Sequence, residues 1–293
     1  MTLGQMLTTH TKAELDAYLE GRSCVLVPTM GYLHDGHLSL VRKARRYSQQ
    51  HGVPSVATIF VNPAQFNDPS DLAKYPRDLD RDRAFLAAEG LDAVYIPEVD
   101  EVYPPGGDWS VPIPEVARLP GLEDKYRPGH FEGVCKVLTR LFEMCSACAA
   151  VFGEKDWQQL QVARALVREL GLHVLIIPGE TVREADGLAM SSRNVHLSKE
   201  EHDRALAISR AIRAGGQELD WQRAERVMRE ILVEAGMEVD YAVVREAAGL
   251  VQNPDEAPAG PFRCLITARA AGVRLLDNGP WPGPVMDSGS ARA

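Results

Sequence analysis

Short apolar runs rich in branched residues alternate along the first half of the chain with stretches of helical periodicity. Runs of this kind are typical of strands buried on both faces of a sheet. The predicted strands are residues 24–27, 55–61, 93–96, 149–152 and 174–177, with a short one at 110–113. The predicted helices are residues 3–21, 37–51, 79–89, 131–144 and 157–170. This alternation predicts an α/β fold, with a parallel sheet covered by helices on both faces.

The pattern changes after Pro178. A polar loop at 183–193 precedes two predicted helices and three predicted strands, which indicate a smaller α+β domain. These helices are residues 198–214 and 222–235, and the strands are residues 239–244, 262–270 and 273–276. Residues 279–293 are rich in Pro, Gly and Ser, which predicts a disordered tail. We therefore expect domains at 1–181 and 182–278, followed by that tail.

The first predicted strand leads into a turn and a helix that carry two histidines. The strand is predicted to end at Pro28, and Gly31 and Gly36 permit a tight turn. His34 and His37 share one face of the first helical turn if the helix begins near Asp35. A helix N-terminus offers free N–H groups and a positive dipole end, which favour phosphate. The stretch predicts a site for polyphosphate charge.

Other interpretations of these side chains stay open at this point. A histidine pair at a helix start is often only surface polarity, and histidine also binds zinc. No third ligand follows His34 and His37 at the usual spacing, so zinc is the weaker alternative. Cys145 and Cys148 form a Cys-x-x-Cys without a second pair, which favours packing over a redox or metal role.

Polar residues follow three of the predicted strands at their carboxyl ends, where parallel sheets bind ligands. They are Thr29, His34 and His37 after the first strand, Asn62 and Gln65 after the second, and Gly153, Lys155 and Asp156 after the fourth. We expect these groups to converge on one edge of the sheet. Asp156 is expected either to hold a ligand or to cap the following helix.

Composition narrows the class of partners. The chain has 293 residues, a formal net charge of −9, 45% hydrophobic and 25% charged residues. The lack of basic excess argues against nucleic acid and anionic membranes as partners. No apolar run is long enough for a membrane span, and the N-terminus does not resemble a signal peptide. We expect a cytoplasmic protein whose five cysteines are mostly reduced.

Five motifs in order resemble the pantothenate synthetase (pantoate–β-alanine ligase) family over residues 3–278. They are PTMGYLHDGH at 28–37, FVNPAQF at 60–66, RPGHFEGV at 127–134, FGEKDWQQL at 152–160 and READGLAMSSRN at 183–194. The resemblance implies a Rossmann-like nucleotidyltransferase domain, a smaller C-terminal lid domain and a homodimer. It also implies two steps. Pantoate attacks Mg·ATP to give pantoyl adenylate and pyrophosphate, and β-alanine then displaces AMP.

The resemblance carries over to individual residues of this sequence. The implied catalytic donors are His34, His37, Lys155, Ser191, Ser192 and Arg193. The implied further ATP contacts are Met30, Gly31, Gly153, Asp156 (to the ribose), Val182 and Met190. The implied pantoate contacts are Pro28, Thr29, Asn62, Gln65 and Gln159. Mg²⁺ is expected to bridge the phosphates, and Asp82 is expected either to supply one carboxylate ligand or to lie on a solvated helix face.

Two other functions remain as alternatives. A transferase acting on a phosphorylated acceptor would need more basic residues than the neutral amides of Gln65 and Gln159 provide. A regulatory module would bind ATP without turnover, which the density of donors at several strand ends argues against. Arg127 and His130 flank a Pro-Gly turn and are interpreted as a mobile flap or a dimer-side element.

Overall fold

The computed structural model describes residues 6–66, 72–73, 75–251 and 261–281. Contacts between residues divide the chain into two units, Met1–Val182 and Arg183–Ala293. Among the described residues, no helix combines the length and the apolar composition that crossing a membrane requires.

The first unit is built on a six-stranded sheet in which all neighbouring strands are parallel. Its strands are β1 (Leu7–Thr9), β2 (Cys24–Thr29), β3 (Ser55–Ile59), β4 (Ala93–Tyr95), β5 (Ala147–Gly153) and β6 (Leu175–Gly179). They lie in the order β1-β4-β3-β2-β5-β6. Every residue of β3 is buried, as is all of β2 except Pro28. Helices must therefore cover both faces, which confirms the predicted fold class.

The described helices of this unit connect successive strands. They are α1 (Lys12–Leu19), α2 (Asp35–His51), α3 (Leu79–Ala88), α4 (Val99–Val102), α5 (Glu123–Tyr126), α6 (His130–Met144) and α7 (Trp157–Glu169), with 3₁₀ turns at Pro63–Gln65 and Glu115–Ala117. Helix α2 buries one apolar face, which includes Leu38, Val41 and Ala44, whereas most residues of α6 are buried.

The strand order reverses beside β2. Strands β3 and β4 lie on one side of β2, and β5 and β6 lie on the other. In open parallel sheets the crevice at such a reversal, beyond the carboxyl ends of the strands, is where ligands bind. Thr29 ends β2 and Gly153 ends β5. The residues that follow these two positions are therefore the ones to inspect for a site.

The second unit packs helices on a small antiparallel sheet. Its elements are α8 (Lys199–Gly215), α9 (Trp221–Glu234), β7 (Glu238–Glu246), β8 (Phe262–Ala270) and β9 (Val273–Trp281), with a 3₁₀ turn at Asn194–His196. The strands lie in the order β7-β8-β9. Ser198 and Glu201 form a reciprocal capping box that starts α8. Ile208 of α8, Met228 of α9 and Ile266 of β8 belong to one buried core.

Three predicted elements differ from the structure. The helix predicted at 3–21 is interrupted by β1, because Thr11 caps α1 and starts it only at Lys12. No strand forms at 110–113. Pro28 does not end β2; it pairs with Thr58 of β3. The register of β2 with β5 ends at Leu26, so the proline occupies a part of the strand with one paired neighbour.

The predicted start of the disordered tail, at residue 279, is wrong. Gly279, Pro280 and Trp281 are the last residues of β9 and pair with β8. Trp281 is buried and packs edge-on against Phe262, with 6.0 Å between ring centroids. The remaining expected tail, 282–293, lies outside the described residues.

Arg183 anchors its loop to β9 through a two-pronged ion pair, and its removal is expected to weaken the second unit. Its Nη1 and Nη2 atoms lie 2.6 and 3.1 Å from the two carboxylate oxygens of the buried Asp277. Arg183→Met leaves that carboxylate without its cation. Because Arg183 is partly exposed, we expect a loss of about 2 kcal/mol of unfolding free energy, below the full cost of breaking a buried pair.

Urea denaturation followed by circular dichroism measures this loss. The matched control is Arg223→Met, which removes the exposed ion pair with Glu218 and should change the unfolding free energy by less than about 0.5 kcal/mol. Equal effects of the two variants would contradict the anchoring role.

Candidate active site

A buried carboxylate on α3 shapes the loop between β2 and α2. Asp82 accepts hydrogen bonds from the main-chain N–H groups of Tyr32 and Leu33, both at 2.7 Å. Gly31 has a φ of 82°, and a Cβ there would lie 2.9 Å from Asp82 Oδ2. The loop therefore needs glycine at this position, both for its conformation and for the close approach of the carboxylate.

These contacts argue against the Mg²⁺ ligand role expected for Asp82. The side chain is 1% exposed, and each of its oxygens already accepts a main-chain N–H. A buried carboxylate with these contacts stabilises the loop and is poorly suited to coordinate an ion that arrives with a substrate. The sequence could not show this, because the partners lie about 50 positions earlier in the chain.

The two histidines together cap α2, which begins at Asp35. His34 Nδ1 accepts from the N–H of Gly36 at 3.1 Å, and His37 Nδ1 lies 3.4 Å from the N–H of His34. Their ring centroids are 4.1 Å apart. The two imidazoles therefore form a reciprocal capping box. Gly36 is consequently part of the first helical turn and not of the preceding bend.

This arrangement defines the protonation of both rings. Because each Nδ1 accepts a main-chain N–H, the neutral rings carry their proton on Nε2. Burial, followed by the charge of Lys155, lowers the pKa of His34 to about 4. Burial, followed by His34 and Lys155, lowers the pKa of His37 to about 3. At neutral pH the pair therefore consists of two uncharged imidazoles with Nε2–H donors.

Lys155 supplies the positive charge near this pair. It follows Gly153 at the end of β5, and its side chain is 15% exposed, with Nζ 3.9 Å from Asp156 Oδ1. Strands β2 and β5 are parallel neighbours, so the end of β5 lies near the start of α2, and the charge of Lys155 acts on both histidines. Asp156 occupies the N-cap position of α7, yet its side chain makes no capping hydrogen bond. The capping alternative for Asp156 is therefore not realised.

A cluster of neutral polar side chains lies after β3. Asn62 Nδ2 donates to Gln65 Oε1 at 3.1 Å and to the main-chain oxygen of Gly133 at 3.0 Å. Gln65 Nε2 is 3.1 Å from Met30 Sδ. Tyr103 donates its hydroxyl to Asn62 Oδ1 at 3.0 Å. The structure thus brings Met30, Asn62 and Gln65 together, and it adds Tyr103 and Gly133, which sequence reasoning missed.

The other expected pantoate contacts have different surroundings. The hydroxyl of Thr29 donates to the main-chain oxygen of Thr58 at 2.7 Å and accepts from Gly31 N–H at 3.2 Å. That side chain therefore braces the turn after β2. Pro28 is partly buried within β2, and Gln159 is partly buried in the first turn of α7.

His130 is the clearest functional candidate that sequence reasoning misplaced. It is 4% exposed at the start of α6, and its Nδ1 is 3.0 Å from the main-chain oxygen of Gln65. This position does not fit a mobile flap. The signal was present in the motif at 127–134, but burial against Gln65 cannot be deduced from local pattern.

The expected ATP contacts at 190–193 belong to the second unit, on a loop closed by its own hydrogen bonds. Ser191 Oγ accepts from the N–H of Arg193 at 3.3 Å. Asn194 Nδ2 donates to Glu184 Oε1 at 2.6 Å and to the main-chain oxygen of Ala189 at 3.1 Å. Met190, Ser191 and Ser192 are partly buried and Arg193 is exposed, while Val182 is the last residue of the first unit.

One group of metal-ligating side chains is close enough to share an ion among the residues that the structure describes. It comprises Glu184, Asp186 and His202, whose ligand atoms lie within 4.8 Å of one another. A hydrogen bond of 2.9 Å from His202 Nε2 to Asp186 accounts for part of this proximity. The group contains neither His34 nor His37, so it gives no support to a zinc site at the histidine pair.

The cysteine pair has the surroundings of packing residues. Cys24 donates to the main-chain oxygen of Cys145 at 3.1 Å, and Cys148 donates to that of Cys24 at 3.3 Å. Burial raises the pKa of Cys145 to about 12. A buried thiol of this kind remains protonated and is a poor redox or metal group.

Comparison with known proteins places the chain in a family. A family profile described as Pantoate-beta-alanine ligase matches residues 5–280. The pantothenate synthetase of Cereibacter sphaeroides is 48% identical over 283 residues, which cover 92% of this chain and 98% of that protein.

Solved structures agree. The crystal structure of pantothenate synthetase from Thermus thermophilus has a TM-score of 0.87 and 41% identity, covering 94% of this chain and 100% of that one. Pantoate-β-alanine ligase from Francisella tularensis, solved with β-γ ATP and β-alanine, has a TM-score of 0.75 and 29% identity, with coverages of 94% and 97%. The chain is an α/β enzyme of the ligase class. It belongs to the pantoate–β-alanine ligase family.

The lowered pKa values predict acid sensitivity. Unfolded histidine has a pKa of ~6.5, so the unfolded chain binds more protons than the folded one at pH values below that. Stability should therefore fall as the pH drops from about 6.5 towards the folded values of about 4 and about 3. His37→Asn removes one such group, and its amide oxygen can replace Nδ1 as the acceptor. We expect this substitution to lower the slope of unfolding free energy against pH by up to ~1.4 kcal/mol per pH unit.

Urea denaturation at several pH values between about 7 and 5 measures this slope. The control is Gln50→Asn at the exposed end of α2, which removes no titratable group and should retain the wild-type slope. The same slope in His37→Asn and wild type would rule out a buried neutral His37.

Proposed function

We propose that this chain condenses pantoate with β-alanine at the expense of ATP, through a pantoyl adenylate, and releases pyrophosphate and AMP. One observation carries the proposal. Two neutral imidazoles lie at the reversal point of the sheet with the charge of Lys155 near both, next to a cluster of neutral amide side chains. Family membership supports ATP-dependent pantothenate formation.

In the first step a carboxylate oxygen of pantoate attacks the α-phosphorus of ATP. The bond from that phosphorus to the bridging oxygen breaks, and pyrophosphate leaves with the electron pair. This transfer requires in-line positioning and hydrogen-bond donors where negative charge develops. The Nε2–H groups of His34 and His37 are such donors, and Lys155 adds a full positive charge. None of these groups needs to change its protonation during the step.

The acid is proposed to bind at the cluster of neutral polar side chains after β3. The amides of Gln65 and Gln159 suit the hydroxyl and carboxylate groups of pantoate, while Asn62 holds the Gln65 amide in place. Pro28, Thr29 and Met30 would form the wall contributed by β2. The neutrality of these side chains does not favour a phosphorylated acceptor, which would call for cationic partners.

In the second step the neutral amine of β-alanine attacks the acyl carbon of the adenylate. The carbon–oxygen bond to AMP breaks, and the amine loses its proton to solvent. An acyl adenylate is already reactive, so binding the amine in position is sufficient and no catalytic base is proposed.

The remaining ATP contacts are proposed by family membership and donor type. They are Gly31, Gly153, Asp156, Val182, Met190, Ser191, Ser192 and Arg193, with the second unit acting as a lid. Mg²⁺ would be held by the ATP phosphates, because the contacts of Asp82 leave it poorly suited to bind the ion. We also propose a cytoplasmic homodimer, which sedimentation of the purified chain would test.

An isotope experiment tests the overall reaction. The enzyme is incubated with ATP, β-alanine and pantoate labelled with ¹⁸O in its carboxylate. If the adenylate forms, one ¹⁸O atom appears in AMP, and AMP release requires both acids. AMP that forms equally without pantoate or without β-alanine would overturn the ligase assignment. Unlabelled AMP would overturn the adenylate route.

Lys155 is expected to contribute mainly to the transition state. Lys155→Met should lower kcat/KM for adenylate formation by roughly 10²–10³-fold, the loss typical of removing one such electrostatic donor. Pyrophosphate release measures the rate. Lys199→Met, an exposed position in the first turn of α8, is the matched control and should retain wild-type kinetics. Near-normal turnover in Lys155→Met with the fold intact would contradict the mechanism.

A further inference from the structure

We propose that His130 is a positioning residue that holds the main chain of Gln65 through an Nδ1–H donor and thereby places the pantoate-binding amide. The inference rests on the proposed function, because it uses the proposed role of Gln65. It concerns a side chain that contacts neither the histidine pair nor Lys155 among the hydrogen bonds described above.

Arg127 defines which nitrogen of His130 carries the proton. Its Nη1 atom lies 3.1 Å from His130 Nε2. A guanidinium can only donate hydrogen bonds, so Nε2 must be the acceptor. A neutral ring then carries its proton on Nδ1, which lies 3.0 Å from the main-chain oxygen of Gln65. Burial, followed by the charge of Arg127, lowers the pKa of His130 to about 3, which keeps the ring neutral.

The main-chain hydrogen bonds of the turn that carries Gln65 are long. Gln65 N–H reaches the oxygen of Asn62 only at 3.4 Å, and Phe66 N–H reaches that of Pro63 at 3.3 Å. Both distances are at the long end for an N–H···O bond. The contact from His130 is shorter and comes from a buried side chain on a fifteen-residue helix. The helix is therefore the more rigid support.

Helix α6 approaches this turn at two further points. A Cβ at Gly133 would lie 2.2 Å from the main-chain oxygen of Ala64, so the helix and the turn are in direct backbone contact. Asn62 Nδ2 donates to the main-chain oxygen of Gly133 at 3.0 Å. The first turn of α6 thus supports Asn62, Ala64 and Gln65 together, and His130 is its only contribution to the Gln65 carbonyl among the bonds described.

Loss of this donor should affect pantoate more than ATP. Without this donor the buried Gln65 carbonyl loses its partner, and a shift of the turn that restores one would also move the side-chain amide. Displacements of this kind impair binding that depends on position. The proposed ATP donors His34, His37 and Lys155 are held by other contacts. We therefore expect a change in the KM for pantoate with little change in the KM for ATP.

Two variants separate the hydrogen bond from packing. His130→Asn keeps an N–H donor near the position of Nδ1, and His130→Leu fills a similar volume without a donor. We expect His130→Leu to raise the KM for pantoate about tenfold, the size of one hydrogen bond, with the KM for ATP changed less than about twofold. His130→Asn should remain within about threefold of wild type.

The control is Thr139→Val on the same helix. It removes a buried hydroxyl that donates to the main-chain oxygen of Cys135 at 3.0 Å, with no link to Gln65. Its KM for pantoate should equal that of wild type. An unchanged KM for pantoate in His130→Leu, or equal increases in the Leu and Asn variants, would overturn the proposal.

The protonation state of His130 can be measured without any activity assay. This measurement tests the inference even if a variant does not fold or the proposed function is wrong. In ¹⁵N-histidine-labelled wild type, the His130 ring, assigned by its absence in His130→Asn, should be neutral with the proton on Nδ1 at neutral pH. A ring protonated on Nε2, or on both nitrogens, overturns the inference. If wild type makes no pantothenate, the proposed function fails, while this spectrum still decides the state of His130.

Discussion

The two hydrogen bonds that Asp82 accepts from main-chain N–H groups are the constraint on which the rest of the site depends. It holds the loop after β2 in a conformation that requires glycine at position 31. That loop sets where α2 begins, and the start of α2 sets the two histidine rings 4.1 Å apart. A single carboxylate, buried on a helix far along the chain, therefore orders the donors at the reversal point of the sheet. Both of its oxygens accept hydrogen bonds from the main chain of this loop.

The first unit uses three partly or fully buried imidazoles, and each has its proton assigned by a neighbouring group. His34 and His37 accept main-chain N–H groups on Nδ1 and present Nε2–H, whereas His130 accepts from Arg127 on Nε2 and presents Nδ1–H. Neutrality follows from the cost of dehydrating an imidazolium. Lys155 places a full positive charge near both rings of the histidine pair. This division separates directional donors from the charge that attracts a polyphosphate.

Much of the fold could be predicted because buried parallel strands have an unambiguous apolar signature. Strand β1 was missed because it has three residues, only one of them buried, and so carries no such signature. The Gly-Pro pair at the end of β9 is typical of turns, so the sequence predicts the disordered tail to begin there. In the site, the residues at the strand ends could be anticipated, since sheet topology alone brings them together. The partners of Asp82 and His130 could not, because those contacts join segments about 50 and 65 positions apart.

The cap of α2 has a consequence for the choice of residue at a phosphate-binding helix end. Helices usually begin with Ser, Thr, Asp or Asn, and a carboxylate is among the most effective caps. A carboxylate at position 34 would satisfy the same N–H group, but it would place negative charge where the phosphates of a nucleotide must approach. An imidazole kept neutral caps the helix without cancelling the positive potential of its N-terminus. Histidine at this position thus lets one helix end be capped and still attract an anion.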